Sequence, residues 1–349
     1  MTPTINDVFI LDYFNKRPIK FEFPQWQEDE FGTNLGQRLE KLMTNGYLRV
    51  NSVVEGLEKL TIPELKAILK TKELKVSGKK IDLINRVSEN FIETELAAYW
   101  KPEYRITQLG ESLLKEYELF LINRKEGYNF RIAELEAADK ELKARNPAFT
   151  AQDVIWSLLN KKIINTSVLD DPWEIYTTYK HMHDIFAKRG YYESALEMIF
   201  QCWAIALSGA DKNRLTKDIG RVCAYQDMVE KTEKSKLLSG ISDLDFKKMA
   251  LPIIEHTQRG LLFSYYNPES VYYILNEVLS GNAYSPEKYP PDNERPKELS
   301  WEYQFNKQYE TIDQQIKQSF QDNTSSKKSG CLTAAITILF LAMFVLFIF

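Results

Sequence analysis

The chain is poor in the features that mark secreted or redox-active proteins. Its three cysteines, Cys202, Cys223 and Cys331, form no Cys-x-x-Cys pair. The first residues, Met1 to Phe14, have neither the basic start nor the long apolar run of a cleavable signal peptide. Because free cysteines are typical of reducing compartments, we expect a cytoplasmic body.

Sequence motifs of catalysis are also missing. There is no Gly-x-x-x-x-Gly-Lys phosphate loop, no Gly-x-Ser-x-Gly elbow and no His-Glu-x-x-His metal helix in the sequence. The cluster His181-Met182-His183-Asp184 places two histidines two positions apart, and such residues point to different faces of a helix. We therefore expect that the protein is not an enzyme and that it holds no metal and no cofactor.

Neither sign of charge is in large excess. With 45 Lys and Arg against 49 Asp and Glu, the net charge is −4, so the whole protein is not a polycation that would coat nucleic acid. Any basic function must be local. A chain of 349 residues that is 44% hydrophobic is long and apolar enough for two or three folded domains.

One long apolar run is present, from Cys331 to Phe349. It contains no charge, no proline and no glycine, and a helix of this length covers just under ~30 Å, the thickness of a bilayer core. Lys327 and Lys328 precede it, and the positive-inside rule then leaves the N-terminal part in the cytoplasm. We predict a single-pass membrane protein whose span is Cys331 to Phe349, after a spacer at residues 322–330.

Two short helical patterns occur between Leu57 and Val87. The first begins with a capping box at Thr61-Ile62-Pro63-Glu64, and apolar residues follow at helical spacing. The second is expected to begin with Ser77 as its N-cap. The side chains predicted to be buried are Leu65, Ile68 and Leu69 in the first helix and Ile81, Ile84 and Val87 in the second.

The second helix carries charge of the unexpected sign at its start. Helix N-termini favour acidic residues, yet Gly78-Lys79-Lys80 stands there. Between Glu64 and Arg86, seven basic residues face three acidic ones. An external phosphate could be bound by the backbone N–H groups and the two ammonium groups together. The alternative is a solvated, lysine-rich face without a ligand.

These residues resemble the SAP motif, a small helix-loop-helix module. The matching positions are Leu60-Thr61, Glu64-Leu65-Lys66, Leu74, Gly78-Lys79-Lys80 and Leu83-Ile84-Asn85-Arg86. The resemblance implies binding to the DNA backbone, or in some members to RNA or protein. It makes Lys66, Gly78, Lys79, Lys80 and Arg86 the candidate phosphate contacts. In one departure, Glu73 occupies the place where the family usually has glycine, which adds a negative charge and removes a residue tolerant of positive φ.

The segments around this module resemble a winged-helix domain in which the module replaces the wing. Leu35 to Val50 contains an amphipathic helix that ends at Asn45-Gly46 before a short alternating run. A second alternating run begins at Tyr104, and Leu109 to Leu121 is again helical. We predict a framework of residues 1–56 and 88–126 around a SAP-like module at 57–87. An ordinary α-rich domain would show the same pattern.

The rest of the chain has helical periodicity. Residues 127–281 are predicted to form a helical domain, in which Lys188 to Leu196 resembles the hinge of a tetratricopeptide hairpin, although no second copy follows at a regular period. Residues 282–300 are rich in proline and polar side chains and predict a linker. An amphipathic helix at 301–321 then carries one apolar stripe, formed by Trp301, Phe305, Tyr309, Ile312, Ile316 and Phe320. This stripe requires burial against the body or a second copy.

The sequence thus predicts a mainly α protein: a SAP-like helix-loop-helix within a small winged-helix-like α/β domain, an all-α domain and a C-terminal transmembrane helix. The predicted function is membrane-tethered binding of nucleic acid, namely DNA with little sequence selectivity. Two other interpretations stay open. The helical domain could recruit a protein partner to the membrane as an adaptor, or the basic face could lie on anionic lipid.

Overall fold

The computed structural model describes residues 3–19 and 22–325 and is largely helical. The chain folds as two compact units, of which the first ends at Ile155 and the second begins at Trp156. Helix α11 (Ala151–Asn165) crosses this boundary. The mainly α class predicted from the sequence is therefore confirmed, with a small two-stranded sheet as its β component.

In the first unit, short helices precede, separate and follow the two strands along the chain. Its elements are α1 (Ile5–Phe14), α2 (Gln25–Phe31), α3 (Leu35–Thr44), β1 (Leu48–Val50), α4 (Val53–Gly56), α5 (Ile62–Thr71), α6 (Lys80–Asn90), α7 (Glu93–Leu96), β2 (Tyr104–Ile106), α8 (Gln108–Glu116), α9 (Glu118–Lys125) and α10 (Ile132–Arg145).

Helix α3 and the two strands form part of one apolar core. The predicted stripe of α3, with Leu35, Leu39 and Leu42, is buried in this core. The chain turns away from the helix at Gly46, just beyond the C-cap Asn45, and its φ of 76° is in the left-handed region that glycine adopts readily. β1 and β2, the two alternating runs of the sequence, pair as antiparallel strands with Leu48 opposite Ile106.

Gly110 lets helix α8 approach this sheet closely. A Cβ atom at this position would lie 2.3 Å from the carbonyl oxygen of Tyr47 and 2.6 Å from the Cγ2 atom of Ile106. Both distances are far below van der Waals contact. Glycine is therefore required here because of close packing, since its φ is not in the left-handed region.

The residues between the two strands, 51–103, form what we call the inserted module. The module has an apolar core of its own, formed by Leu57, Leu60, Leu65, Ile68, Leu69, Leu83, Val87 and Leu96. Its two ends meet at a neck formed by Asn51 and Glu103, which are both buried. The side-chain oxygen Oδ1 of Asn51 accepts a hydrogen bond from Glu103 N (2.8 Å), and Asn51 N donates to Glu103 O (3.0 Å).

The second unit is an all-α bundle. Its helices are α12 (Pro172–Lys188), α13 (Tyr192–Ser208), α14 (Gln226–Ser239), α15 (Asp243–Arg259), α16 (Pro268–Leu279) and α17 (Trp301–Ser325). α12 and α13 form a helical hairpin that turns at Gly190, where φ is 80°. α13 is the central helix, and its Trp203 and Phe200 are fully buried among the side chains of α12, α14, α15 and α16.

Residues 282–300 are packed against this bundle, so their interpretation as a linker has to be corrected. Tyr289 is buried, and its carbonyl oxygen accepts a hydrogen bond from the Tyr266 hydroxyl (2.7 Å). Thr216 N donates to Leu299 O (2.8 Å). Proline-rich composition indicates irregular backbone, but tyrosines within such a segment can still dock onto a core.

Within the described residues, no helix is both long enough and apolar enough to cross a membrane. The membrane span predicted from Cys331 to Phe349 lies outside the described residues, as does most of the spacer before it. The span from Cys331 to Phe349 therefore remains a prediction from the sequence.

Candidate nucleic-acid interface

Helix α5 begins as the sequence predicts. Thr61 is the N-cap, and its N–H and hydroxyl both donate to the Glu64 carboxylate at 2.6 Å and 2.8 Å. The hydrogen bond from the Thr61 backbone N–H has the largest effect and that from the Thr61 hydroxyl the next largest, and both hold the pKa of the Glu64 carboxyl below its usual range. The predicted apolar face of Leu65, Ile68 and Leu69 is buried. The negative charge of Glu64 is thus used to cap the helix.

Helix α5 ends in a Schellman motif with Glu73 at its left-handed position. Glu73 has a φ of 55°, Leu74 N donates to Leu69 O (3.0 Å), and Glu73 N donates to Lys70 O (3.1 Å). Helix α3 ends in the same motif, but there Gly46 occupies the left-handed position. The departure from the SAP pattern noted in the sequence therefore falls on a residue whose backbone favours glycine.

We expect the substitution Glu73→Gly to stabilise the inserted module by about 1 kcal/mol, because it removes the cost of a left-handed non-glycine residue. Glu73→Gln removes the same charge and keeps the strained backbone, so it should leave stability almost unchanged. Hydrogen exchange of the α5 amides in the full chain measures both variants. Equal stabilisation by the two substitutions would show that charge, and not backbone strain, is responsible.

The start of helix α6 differs from the prediction. Ser77 is not the N-cap; the cap is Lys79, whose N–H donates to the Asp82 carboxylate at 2.9 Å. Gly78, with a φ of 131°, separates Ser77 from the helix, and a Cβ on Gly78 would lie 3.1 Å from the Asp82 side chain. Because Asp82 stands three residues after Lys79, its carboxylate bonds to the cap amide, which is therefore not free to bind a phosphate.

The buried face of α6 also differs in one position. Leu83 and Val87 are buried and Ile84 is partly buried, whereas Ile81 is 59% exposed. Leu83 and Val87 are four positions apart and share the inward face of α6, whereas Ile81 lies almost opposite Leu83 on the helix.

Two of the candidate phosphate contacts are held by backbone carbonyls. Arg86 donates through Nη1 to the carbonyl oxygens of Lys75 (2.5 Å) and Ser77 (3.3 Å), and so fixes the loop between the two helices. Lys80 donates through Nζ to the carbonyl oxygen of Glu58 (2.8 Å). The Arg86 bonds use one nitrogen of a guanidinium that has five N–H donors, so further donors remain for a ligand.

The other candidates lie at the surface. Lys79 and Gly78 are exposed, and Lys66 is partly buried on α5, one turn before the exposed Lys70. Lys75 is exposed in the loop. Lys72 has a structural role instead, because its Nζ donates to Asn90 O (2.8 Å) and to the Glu95 carboxylate (2.7 Å).

The acidic residues of this region are mostly used within the fold. Glu64 and Asp82 cap α5 and α6, which leaves Glu73 as the acidic residue between Glu64 and Arg86 without a capping role. The local excess of positive charge seen in the sequence is therefore presented by side chains of α5 and the following loop. Such a surface can bind an anionic polymer through its backbone phosphates.

A second group of polar residues lies in the helical unit, between α12 and α14. His183 Nε2 is 3.0 Å from Ser235 Oγ, and His183 Nδ1 is 2.9 Å from Asp184 Oδ1, which is the order of atoms in a Ser-His-Asp triad. Ser235 is only 1% exposed, however, and it lies inside α14, where backbone N–H groups bond within the helix. The backbone N–H groups around Ser235 are therefore not free to stabilise an oxyanion at this position.

His181 and His183 differ in burial, as expected for residues two positions apart on a helix. His183 is buried, while His181 is partly buried, and burial lowers the pKa of His181 to about 4. Within residues 3–19 and 22–325, no three His, Cys, Asp or Glu side chains come close enough together to hold a metal ion.

The structure thus shows a small helix-loop-helix module with lysines exposed at its surface. Residues 56–91 match the family model of the SAP domain, which confirms the resemblance seen in the sequence. A SAP domain suggests nucleic-acid binding. The match does not extend to the surrounding framework, whose winged-helix class remains a prediction. A comparison of the chain with curated proteins finds no match.

Proposed function

We propose that this protein binds nucleic acid, namely DNA, through the inserted module while residues 331–349 tether it to a membrane. The observation that carries the proposal is the SAP domain at 56–91, in which Glu64 and Asp82 cap helices and lysines remain at the surface. A surface of this kind contacts phosphates, so it positions the duplex and reads little of its sequence.

These contacts divide the four charged candidate residues into two groups, and Gly78 has a separate role. Lys66 and Lys79 are proposed to contact phosphate directly, because no described contact engages their amines within the fold. Arg86 and Lys80 are proposed to contact phosphate while also holding the loop, and Gly78 allows the loop to approach the DNA backbone. This division separates residues that affect only binding from residues that affect binding and folding.

A membrane tether would make a weak module sufficient. Binding by a small module that contacts only phosphates has a Kd on the order of 10⁻⁴ to 10⁻⁶ M at physiological salt. Confinement to a surface raises the effective concentration of the module near bound DNA, so the apparent affinity increases without any new contact.

The test is the salt dependence of duplex DNA binding by the full chain in detergent. Each phosphate contact contributes about −0.9 to the slope of log K against log salt, so Lys66→Ala/Lys79→Ala should reduce the slope by about two. Lys115→Ala/Lys140→Ala is the matched control, since it removes two exposed lysines from α8 and α10 of the same unit. If both double variants change the slope equally, the inserted module is not the binding site.

A protein-interaction adaptor is the second candidate, and one feature of the helical unit favours it. Leu237, Leu238 and Leu244 are exposed where α14 meets α15, and Tyr191 is 60% exposed at the turn of the α12–α13 hairpin. Leu238 and Tyr191 line a groove of about 340 Å³. Exposed apolar groups that cluster in this way are typical of protein interaction sites. If the full chain does not bind DNA at low salt, this candidate replaces the first.

A further inference from the structure

Helix α17 presents an apolar stripe that its own unit does not cover. Among the described members of the stripe, Trp301, Phe305 and Tyr309 are 47%, 41% and 66% exposed, and Ile312 is partly buried. The rings of Trp301 and Phe305 pack edge to face on each other, with centroids 6.0 Å apart. Three adjacent aromatic side chains on one helix face remain in contact with solvent, which is costly without a partner.

The described hydrogen bonds and ion pairs that attach α17 to its unit lie in its first turn. Tyr303 N donates to the Ser300 hydroxyl oxygen (3.1 Å), Gln304 Nε2 donates to Glu298 O (2.7 Å), and Glu302 lies 3.9 Å from Arg295. The contacts described further along are internal to the helix, as between Lys317 and Asp313. A 25-residue helix attached at one end depends on another surface for much of its stability.

The stripe has a regular period. In the sequence, Trp301 and Ile312, Phe305 and Ile316, and Tyr309 and Phe320 are each separated by 11 positions. An 11-residue repeat corresponds to about 3.67 residues per turn, which keeps the apolar positions on one face of an almost straight helix. Packing of two such helices along their whole length is the arrangement that this period favours.

The borders of the stripe favour a protein surface over lipid. Gln304, Gln308 and Gln315 follow one side at helical spacing, and Glu302 and Asp313 follow the other. Interfacial membrane helices carry lysine and arginine beside their apolar face, which attract anionic lipid. Here the neighbouring positions are neutral or acidic except Lys317, which is paired with Asp313, so little positive charge is left to attract an anionic membrane surface.

We propose that α17 pairs with α17 of a second copy of this chain, parallel and in register. A two-fold interface brings identical positions together, so one self-complementary stripe is sufficient. The parallel direction rests on the proposed membrane tether, because segments 331–349 of two copies inserted in one bilayer would place the preceding helices side by side. Pairing also brings two inserted modules to one DNA molecule.

The experiment is the mass of the full chain in detergent by sedimentation equilibrium. The unmodified protein is expected at twice the 40.8 kDa of one chain, and Phe305→Glu/Tyr309→Glu at the mass of one chain, because it places carboxylates opposite their own copies. The matched control Tyr303→Glu/Gln314→Glu adds the same charge on the opposite face and should keep the dimer.

Each result decides the inference. A single-chain mass for the unmodified protein overturns it, and so does a dimer that survives Phe305→Glu/Tyr309→Glu, since the contact would then lie elsewhere. Dissociation of both double variants also overturns it, because the effect would then not depend on the stripe. DNA binding is measured on the same samples, so a monomer that still binds DNA refutes the pairing and leaves the proposed function intact.

Discussion

Replacement of Gly110 by alanine is expected to destabilise the first unit by about 3 kcal/mol. The added methyl group would lie 2.3 Å from the carbonyl oxygen of Tyr47, which is backbone and cannot move without displacing β1. Overpacking of this kind costs on the order of 1–3 kcal/mol, and a backbone atom as the obstacle puts the effect at the upper end. Hydrogen exchange in the amides of α8 and the two strands, measured in increasing urea, gives the value.

Gly36 is the control for this prediction, because it is also a helical glycine of the first unit. A Cβ on Gly36 would lie 3.5 Å from Phe23 Cε2, which is ordinary contact. Gly36→Ala should therefore be neutral or stabilise α3 by up to about 1 kcal/mol, through the lower backbone entropy of alanine in the unfolded chain. A similar loss of stability in both variants would contradict the close approach at Gly110.

Asn51→Leu is expected to cost about 2–3 kcal/mol and to loosen the neck of the inserted module. The substitution leaves the buried N–H of Glu103 without its acceptor, Asn51 Oδ1, and unpaired buried donors carry about this penalty. It also removes the bond from Asn51 Nδ2 to Lys101 O (3.3 Å). The measurement is the hydrogen-exchange protection of Glu103 and of β2.

Asn45→Leu is the matched control for the neck. Asn45 also donates through Nδ2 to a backbone carbonyl, that of Lys41 at 2.8 Å, but it lies at the surface, where water replaces a lost partner. We expect less than about 0.5 kcal/mol from this change. Equal effects of the two asparagine substitutions would mean that burial at the neck contributes nothing.

The sequence predicted local structure well where residue type and backbone geometry agree. The capping box at Thr61, the stripe of α3 and the end of that helix at Gly46 all follow from short-range rules. Glu73 was identified as a departure from the family pattern, and the structure shows its consequence as a φ of 55°. These features depend on residues within one or two turns of each other, so a single sequence is enough to predict them.

Features that depend on competition or distance were missed. Serine is a better N-cap residue than lysine, yet the N-cap is Lys79 and not Ser77. The reason is that the Asp82 carboxylate stands three residues after Lys79 and accepts a hydrogen bond from the Lys79 N–H. The roles of Arg86 and Lys80 in holding carbonyls cannot be recognised from spacing, since the acceptors lie nine to 22 residues away. The local sequence around Tyr289 predicts a linker, because nothing in it shows that Tyr289 is buried against the distant Tyr266.

The neck at Asn51 and Glu103 affects the order in which parts of the first unit can fold. The two strands are only three residues long, and the 53 residues 51–103 separate them, so closing that loop in an unfolded chain would cost more entropy than so short a sheet can offset. A folded module with adjoining ends behaves instead like a tight turn. The sheet can therefore form at little entropic cost only after the module has folded, which makes the inserted module a prerequisite for completing its own support.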